Sequence, residues 1–65
     1  MNIKTLGKRI KEKRIKANIS QNLLAEKSGV CRLSITRLEG GKHIPRFDKM
    51  IKLLQVIDMP ISQAI

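Results

Sequence analysis

An all-α fold follows from three features of this chain. Apolar residues recur at three- and four-residue steps, as in Phe47, Met50, Leu54 and Ile57, which is the spacing of one helix face. No stretch alternates polar and apolar residues for more than a few positions, and valine and aromatic residues are scarce, so strands are not expected. Residues that start or stop helices, namely Asn18, Ser20, Gly29, Gly40, Gly41 and Pro45, fall between the periodic runs. The 65 residues form one domain, over 1–65, with no repeats, linkers or low-complexity tracts. A chain this short buries only about 60% of the surface it exposes when unfolded, so its core is small.

Five helical segments are expected. The first runs from about Lys4 to Ala17, with Leu6, Ile10 and Ala17 on one stripe and Arg14 at its edge. Asn18 suits a left-handed position just past that helix, a conformation asparagine tolerates better than most residues. Ile19 re-enters the core. Ser20 is a good N-cap for the second helix, which carries Leu24 and Ala25 inward and ends at Gly29. Val30 packs behind the turn. The third helix starts near Cys31, with Ile35 and Leu38 on the same face as Val30 and Cys31. At 100° per residue, Leu33 lies about 160° from Ile35 and Arg37 about 200°, so these two share the outer face. Gly40 and Gly41 end the helix. Pro45 suits a loop or the first turn of a fourth helix over about Arg46 to Ile57, in which Ile51, Leu53 and Val56 widen the apolar arc. Pro60 opens a final short turn with Ile61, Ala64 and Ile65. The surplus of apolar side chains from Leu53 onward fits either a core covered from several sides or an interface with a second protein chain.

Two short helices held at a fixed angle by a glycine turn, over about residues 20–39, make a rigid probe about as wide as the DNA major groove. The charge agrees with that shape. Fourteen Lys and Arg stand against five Asp and Glu, a net charge of +9, which points to a polyanionic partner whose counterions are released on binding. A solvated basic surface and a helix lying on a membrane are the alternatives. The membrane reading is the weaker, because the basic residues of the first helix are scattered around it. With one aromatic residue, Phe47, stacking on single strands or RNA has little to rest on.

Other chemistry finds little support. A single cysteine, Cys31, fits a reducing compartment, rules out an internal disulfide and argues against a secreted scaffold or a structural zinc site. Residues 1–20 carry seven Lys and Arg without an uninterrupted apolar run, so neither a signal peptide nor a membrane span is expected. His43 is the only histidine and has no neighbour at metal-ligand spacing. No nucleophile–base pair or glycine-rich phosphate loop occurs, so no enzyme activity, cofactor or metal is expected.

Arg14, Ser20-Gln21, Leu24-Ala25-Glu26-Lys27, Gly29-Val30, Ile35, Leu38-Glu39, Gly41-Lys42 and Pro45 occur together in an order and spacing that resemble the Cro/phage-repressor (XRE-like) type of helix-turn-helix regulator. The resemblance covers nearly the whole chain. It implies a compact, lambda-repressor-like bundle of five helices that binds double-stranded DNA, with the second helix across the backbone and the third in the major groove. It further implies a two-fold dimer on a palindromic operator, a repressor or activator without catalytic activity, and a cytoplasmic protein of bacterial or phage origin. The dimer contact is expected in the C-terminal region. An antitoxin-like or accessory module, whose main contact is a protein partner and whose DNA binding is secondary, is the second reading.

By the same resemblance, Arg32, Leu33 and Arg37 read bases, with Ser34 and Thr36 at the margins. Arginine pairs guanine O6 and N7 together, and leucine packs on a thymine methyl. Gln21 and Asn22 at the start of the second helix, and Lys42, His43 and Arg46 after the third, hold the DNA backbone; Arg46 also matches an arginine that approaches the minor groove in some relatives. Arg14 and Glu39 match a partly buried structural ion pair. The chain departs from the family at several places. Cys31 replaces the usual Ser or Thr cap and also raises the idea of a redox switch. Lys13 replaces an apolar residue. Gly40 lacks a side chain that often touches phosphate. Asp58 stands where glycine commonly ends the fourth helix. Leu54 and Val56 are bulkier than the usual alanines, which favours something packing on that face.

Overall fold

The computed structural model describes residues 2–60. They form four helices and no strand: α1 (Ile3–Lys16), α2 (Gln21–Ser28), α3 (Arg32–Glu39) and α4 (Phe47–Val56). The all-α architecture stands. The expected count of five does not, since four helices are present among the described residues and the segment with Ile61, Ala64 and Ile65 lies outside them.

Local chemistry sets the helix ends. The Asn2 side chain accepts from the Thr5 N–H at 2.8 Å, which starts α1 one residue earlier than its apolar spacing suggests. Ser20 Oγ accepts from the Leu23 N–H at 3.0 Å and caps α2. Three helices stop in the same way. Past α1, Asn18 takes a left-handed conformation (φ 62°), its N–H bonds the Ile15 carbonyl at 2.9 Å, and the Ile19 N–H bonds the Arg14 carbonyl at 3.1 Å. Gly41 and Lys42 close α3 on Leu38 and Arg37, and Asp58 (φ 54°) and Met59 close α4 on Gln55 and Leu54. Asp58 therefore adopts the conformation that glycine usually supplies, at a steric cost. Pro45 belongs to the loop before α4 and is buried there.

α1 packs on α3, and α2 packs on both α3 and α4. Ile10, Leu24, Val30, Ile35, Leu38, Leu53 and Ile57 are wholly buried, with Met50, Leu54 and Met59 beside them. Several inward assignments need correction. Phe47, the first residue of α4, is 70% exposed. Cys31 and Ala17 are exposed, each lying at a helix end beyond the packed turns. The C-terminal apolar surplus is also different from a free face: Leu53, Leu54, Ile57 and Met59 fill the monomer's own core, and Val56 packs against it. Being bulkier than alanine, Leu54 and Val56 serve intramolecular packing.

One contact sets the position of α3. A Cβ at Gly7 would overlap the Leu38 carbonyl oxygen and sit 3.1 Å from that of Glu39. The α1 backbone thus touches the last turn of α3 directly, and only glycine leaves the room.

Candidate nucleic-acid interface

The link between α2 and α3 is three residues long and tightly held. Gly29 is left-handed (φ 74°) and its N–H bonds the Ala25 carbonyl at 2.9 Å. The Ser28 hydroxyl is buried; it donates to the Leu24 carbonyl at 2.6 Å and accepts from the Val30 N–H at 3.2 Å. Val30 then plugs the core. The turn is thus closed by hydrogen bonds on one side and by a buried apolar residue on the other. Ser28 carries no periodic signal, and sequence reasoning passed over it; a serine directly before a turn glycine is the available clue.

Past the turn, Cys31 is the N-cap of α3 by backbone but makes no side-chain cap bond. Its Sγ lies 3.2 Å from Ser34 Oγ. That hydrogen bond is the first cause that holds the thiol below its ordinary pKa, and the backbone N–H dipoles of Ser34 and Leu33 act in the same direction without forming a cap bond. Ser34 is thereby turned back toward Cys31 and is only half exposed.

On the outer face of α3, Leu33 is 58% exposed. Arg32 and Arg37 flank it, both exposed, and neither guanidinium is in a hydrogen bond or ion pair among the described residues. The surface is thus an apolar centre between two unneutralised guanidinium groups. Lys42 and His43 extend it just past α3, exposed and with side chains likewise unpaired among the described residues. Arg46 begins α4 with its Nε 3.9 Å from the Asp48 carboxylate, both side chains largely in solvent. A pair of that kind is worth about 0–1 kcal/mol at most, so Arg46 remains available to a stronger anion.

Behind this surface a polar chain ties three helices together. Arg14 Nε donates to Glu39 Oε2 at 2.8 Å and Arg14 Nη2 to Glu39 Oε1 at 3.1 Å, a bidentate pair with side chains 11% and 4% exposed. Arg14 Nη1 also donates to the Ile19 carbonyl at 2.8 Å. Gln21 continues the chain: its Nε2 donates to Glu39 Oε1 at 3.1 Å, and its Oε1 accepts from the Thr36 hydroxyl at 3.0 Å. Both ends of the Gln21 side chain are therefore engaged inside the molecule. Its backbone N–H and that of Asn22 stand at the open end of α2, where helix N–H groups lack internal acceptors. The Asn22 side chain is exposed. The link from Gln21 to Thr36 and Glu39 was not legible in sequence, because residues 15 and 18 positions apart share no local pattern.

No group of three or more His, Cys, Asp or Glu able to hold a metal ion occurs among the described residues. No helix among them is long and apolar enough to cross a membrane.

Two helices joined by a closed glycine turn, with a cationic and unpaired outer face on the second, define a helix-turn-helix domain. A family model described as "Helix-turn-helix" matches residues 10–63. The chain belongs to this Cro/C1-type, XRE-like helix-turn-helix family and is a DNA-binding regulator of that type. No curated protein and no solved structure matches it.

Proposed function

We propose that the protein is a sequence-specific transcriptional regulator, acting as a repressor, that binds a palindromic double-stranded operator as a homodimer. The outer face of α3 carries this reading: Arg32 and Arg37 have no internal partner, and Leu33 between them is exposed. A guanidinium without a partner is ready to bind guanine O6 and N7 together, and a leucine beside it matches a thymine methyl. Ser34 and Thr36 lie at the margins of the same face. The α2 N-terminus, through the N–H groups of Gln21 and Asn22, and Lys42, His43 and Arg46 on the far side of α3 flank the reading face, where they meet phosphates.

The length of α3 supports dimerisation. The eight residues of α3 span about 12 Å at the helical rise, which faces about four base pairs. A reading that short cannot select one site among the ~10⁶ or more that a genome offers, whereas two copies on a two-fold site double it. The C-terminal region is the proposed place of that contact. Repression needs only occupancy of the operator, while activation needs a further surface for a second protein. An exposed free thiol suits a cytoplasmic location, in a bacterium or a phage-infected host. The alternative of an antitoxin-like protein-binding module was motivated by the apolar residues from Leu53 to Ile65; Leu53, Leu54, Ile57 and Met59 among them are used in the core, which leaves it less support, and residues 61–65 lie outside the described ones.

Selection of bound sequences from a random duplex pool, at several salt concentrations, tests the proposal. A motif with two-fold symmetry and an affinity falling steeply with salt are expected. Recovery of no motif contradicts sequence-specific binding, and a motif without symmetry contradicts the dimer.

A further inference from the structure

The polar chain behind the recognition helix does more than hold it in place. Each link has a fixed direction. Arg14 has donors only, and it occupies both oxygens of Glu39. Glu39, a carboxylate, has acceptors only. The Gln21 amide must therefore turn its NH₂ toward Glu39, which leaves its carbonyl oxygen facing Thr36. A carbonyl can only accept, so the Thr36 hydroxyl hydrogen is committed to Gln21. What Thr36 still offers to solvent is a pair of oxygen lone pairs.

Thr36 is exposed, and at 100° per residue it lies about 60° around α3 from Leu33. It stands on the side of the reading face nearest the α2 N-terminus, as its contact with Gln21 requires.

We infer that the Arg14–Glu39–Gln21 relay makes Thr36 an acceptor-only reader, which selects a base with an exocyclic amine, adenine or cytosine, at its position in the major groove. Adenine N6 and cytosine N4 are donors there, whereas guanine O6 and thymine O4 are acceptors that would face the Thr36 lone pairs without a hydrogen between them. Gln21 is a positioning residue in this scheme. It touches Thr36 and sets the polarity of the contact, while the buried ion pair sets the orientation of Gln21. The inference rests on the proposed reading of DNA bases by α3.

The test is selection from a random duplex pool with the wild type, Thr36→Val and Gln21→Met, each checked for native helicity. Valine keeps the methyl group and removes the hydroxyl; methionine keeps the length of glutamine and removes both polar atoms. The wild type should show one column per half-site with adenine or cytosine preferred over guanine and thymine by about three- to tenfold, the value of one hydrogen bond. Thr36→Val should level that column alone. Gln21→Met should free the Thr36 hydroxyl to donate, so the same column should admit guanine and thymine. A general loss of affinity in Gln21→Met would scale all columns alike and leave this readout intact. A motif in which Thr36→Val changes no column overturns the inference and leaves base reading by α3 standing. So does a thymine preference retained by Thr36→Val, which would mark a methyl contact. No enriched motif for the wild type removes both.

Discussion

Single residues decide how closely the helices approach and how well they begin. Gly7 lies against the carbonyls of Leu38 and Glu39, and the obstacle to a side chain there is backbone. Gly29, by contrast, has open space around its Cβ position and needs glycine only for its φ of 74°. Gly7→Ala should therefore cost about 3 kcal/mol, the upper range for overpacking, and Gly29→Ala about 1–2 kcal/mol, the price of a left-handed alanine. Urea denaturation of the two variants checks the order; equal midpoints would mean that α1 can withdraw from α3 freely. Cys31 shows the opposite case, a position filled by a weak group. It makes no cap bond to α3, so Cys31→Ser should raise stability by about 1 kcal/mol, or about 4–8 °C in Tm for a domain of this size. An unchanged or lower Tm would show that the thiol's contact with Ser34 matters more than the missing cap. At this scale the sequence was partly transparent. Ser20, Asn18 and Gly29 announce their roles because capping and left-handed turns need specific residue types. Gly7 and Phe47 do not: one glycine inside a helix and one phenylalanine on an apolar stripe look the same whether or not a neighbour is present.

The elements are held by one polar junction as well as by the core. Glu39, at the end of α3, meets Arg14 from α1 and Gln21 from α2. Glu39→Ala would leave a buried guanidinium and an amide donor without their acceptor, at a cost of about 3–5 kcal/mol. Glu12→Ala, on the exposed side of α1, should change stability by no more than about 0.5 kcal/mol. Chemical denaturation compares them, and similar values for the two would show that the junction is dispensable. Converting Arg14 and Glu39 together to apolar residues should recover only part of the loss, since the Ile19 carbonyl and Gln21 Nε2 would still lack partners. Helix positions were legible to within a residue or two, because capping chemistry and apolar spacing agree. Their pairing was not. Nothing local joins Arg14 to Glu39 or Gln21 to Thr36; the first pair came from family resemblance and the second only from the folded geometry. The wide apolar arc of α4 left two readings open, a covered core or an interface, for a related reason. Its composition records how many side chains need cover, and in a small bundle α2 and the residues after α4 supply that cover.

For the molecule as a whole, a net charge of +9 on a body 26 × 20 × 19 Å ensures attraction to any nucleic acid, and it cannot by itself produce selectivity. Selectivity rests on the division of labour proposed between the flanking cations and the outer face of α3. Lys42→Ala should weaken binding to all duplexes alike and lower the salt slope by about 1, as loss of a single phosphate contact does. Arg37 separates the two roles most directly. Its guanidinium is exposed, unpaired among the described residues and on the same face as Leu33, so it should read a guanine and add about 1–3 kcal/mol of discrimination. The decisive measurement is the affinity of Arg37→Ala for the selected operator and for every single-base variant of it. The account predicts that preference disappears at one position per half-site while the other positions keep theirs; an equal loss of affinity for every sequence would make Arg37 a phosphate contact and contradict base reading by this face of α3.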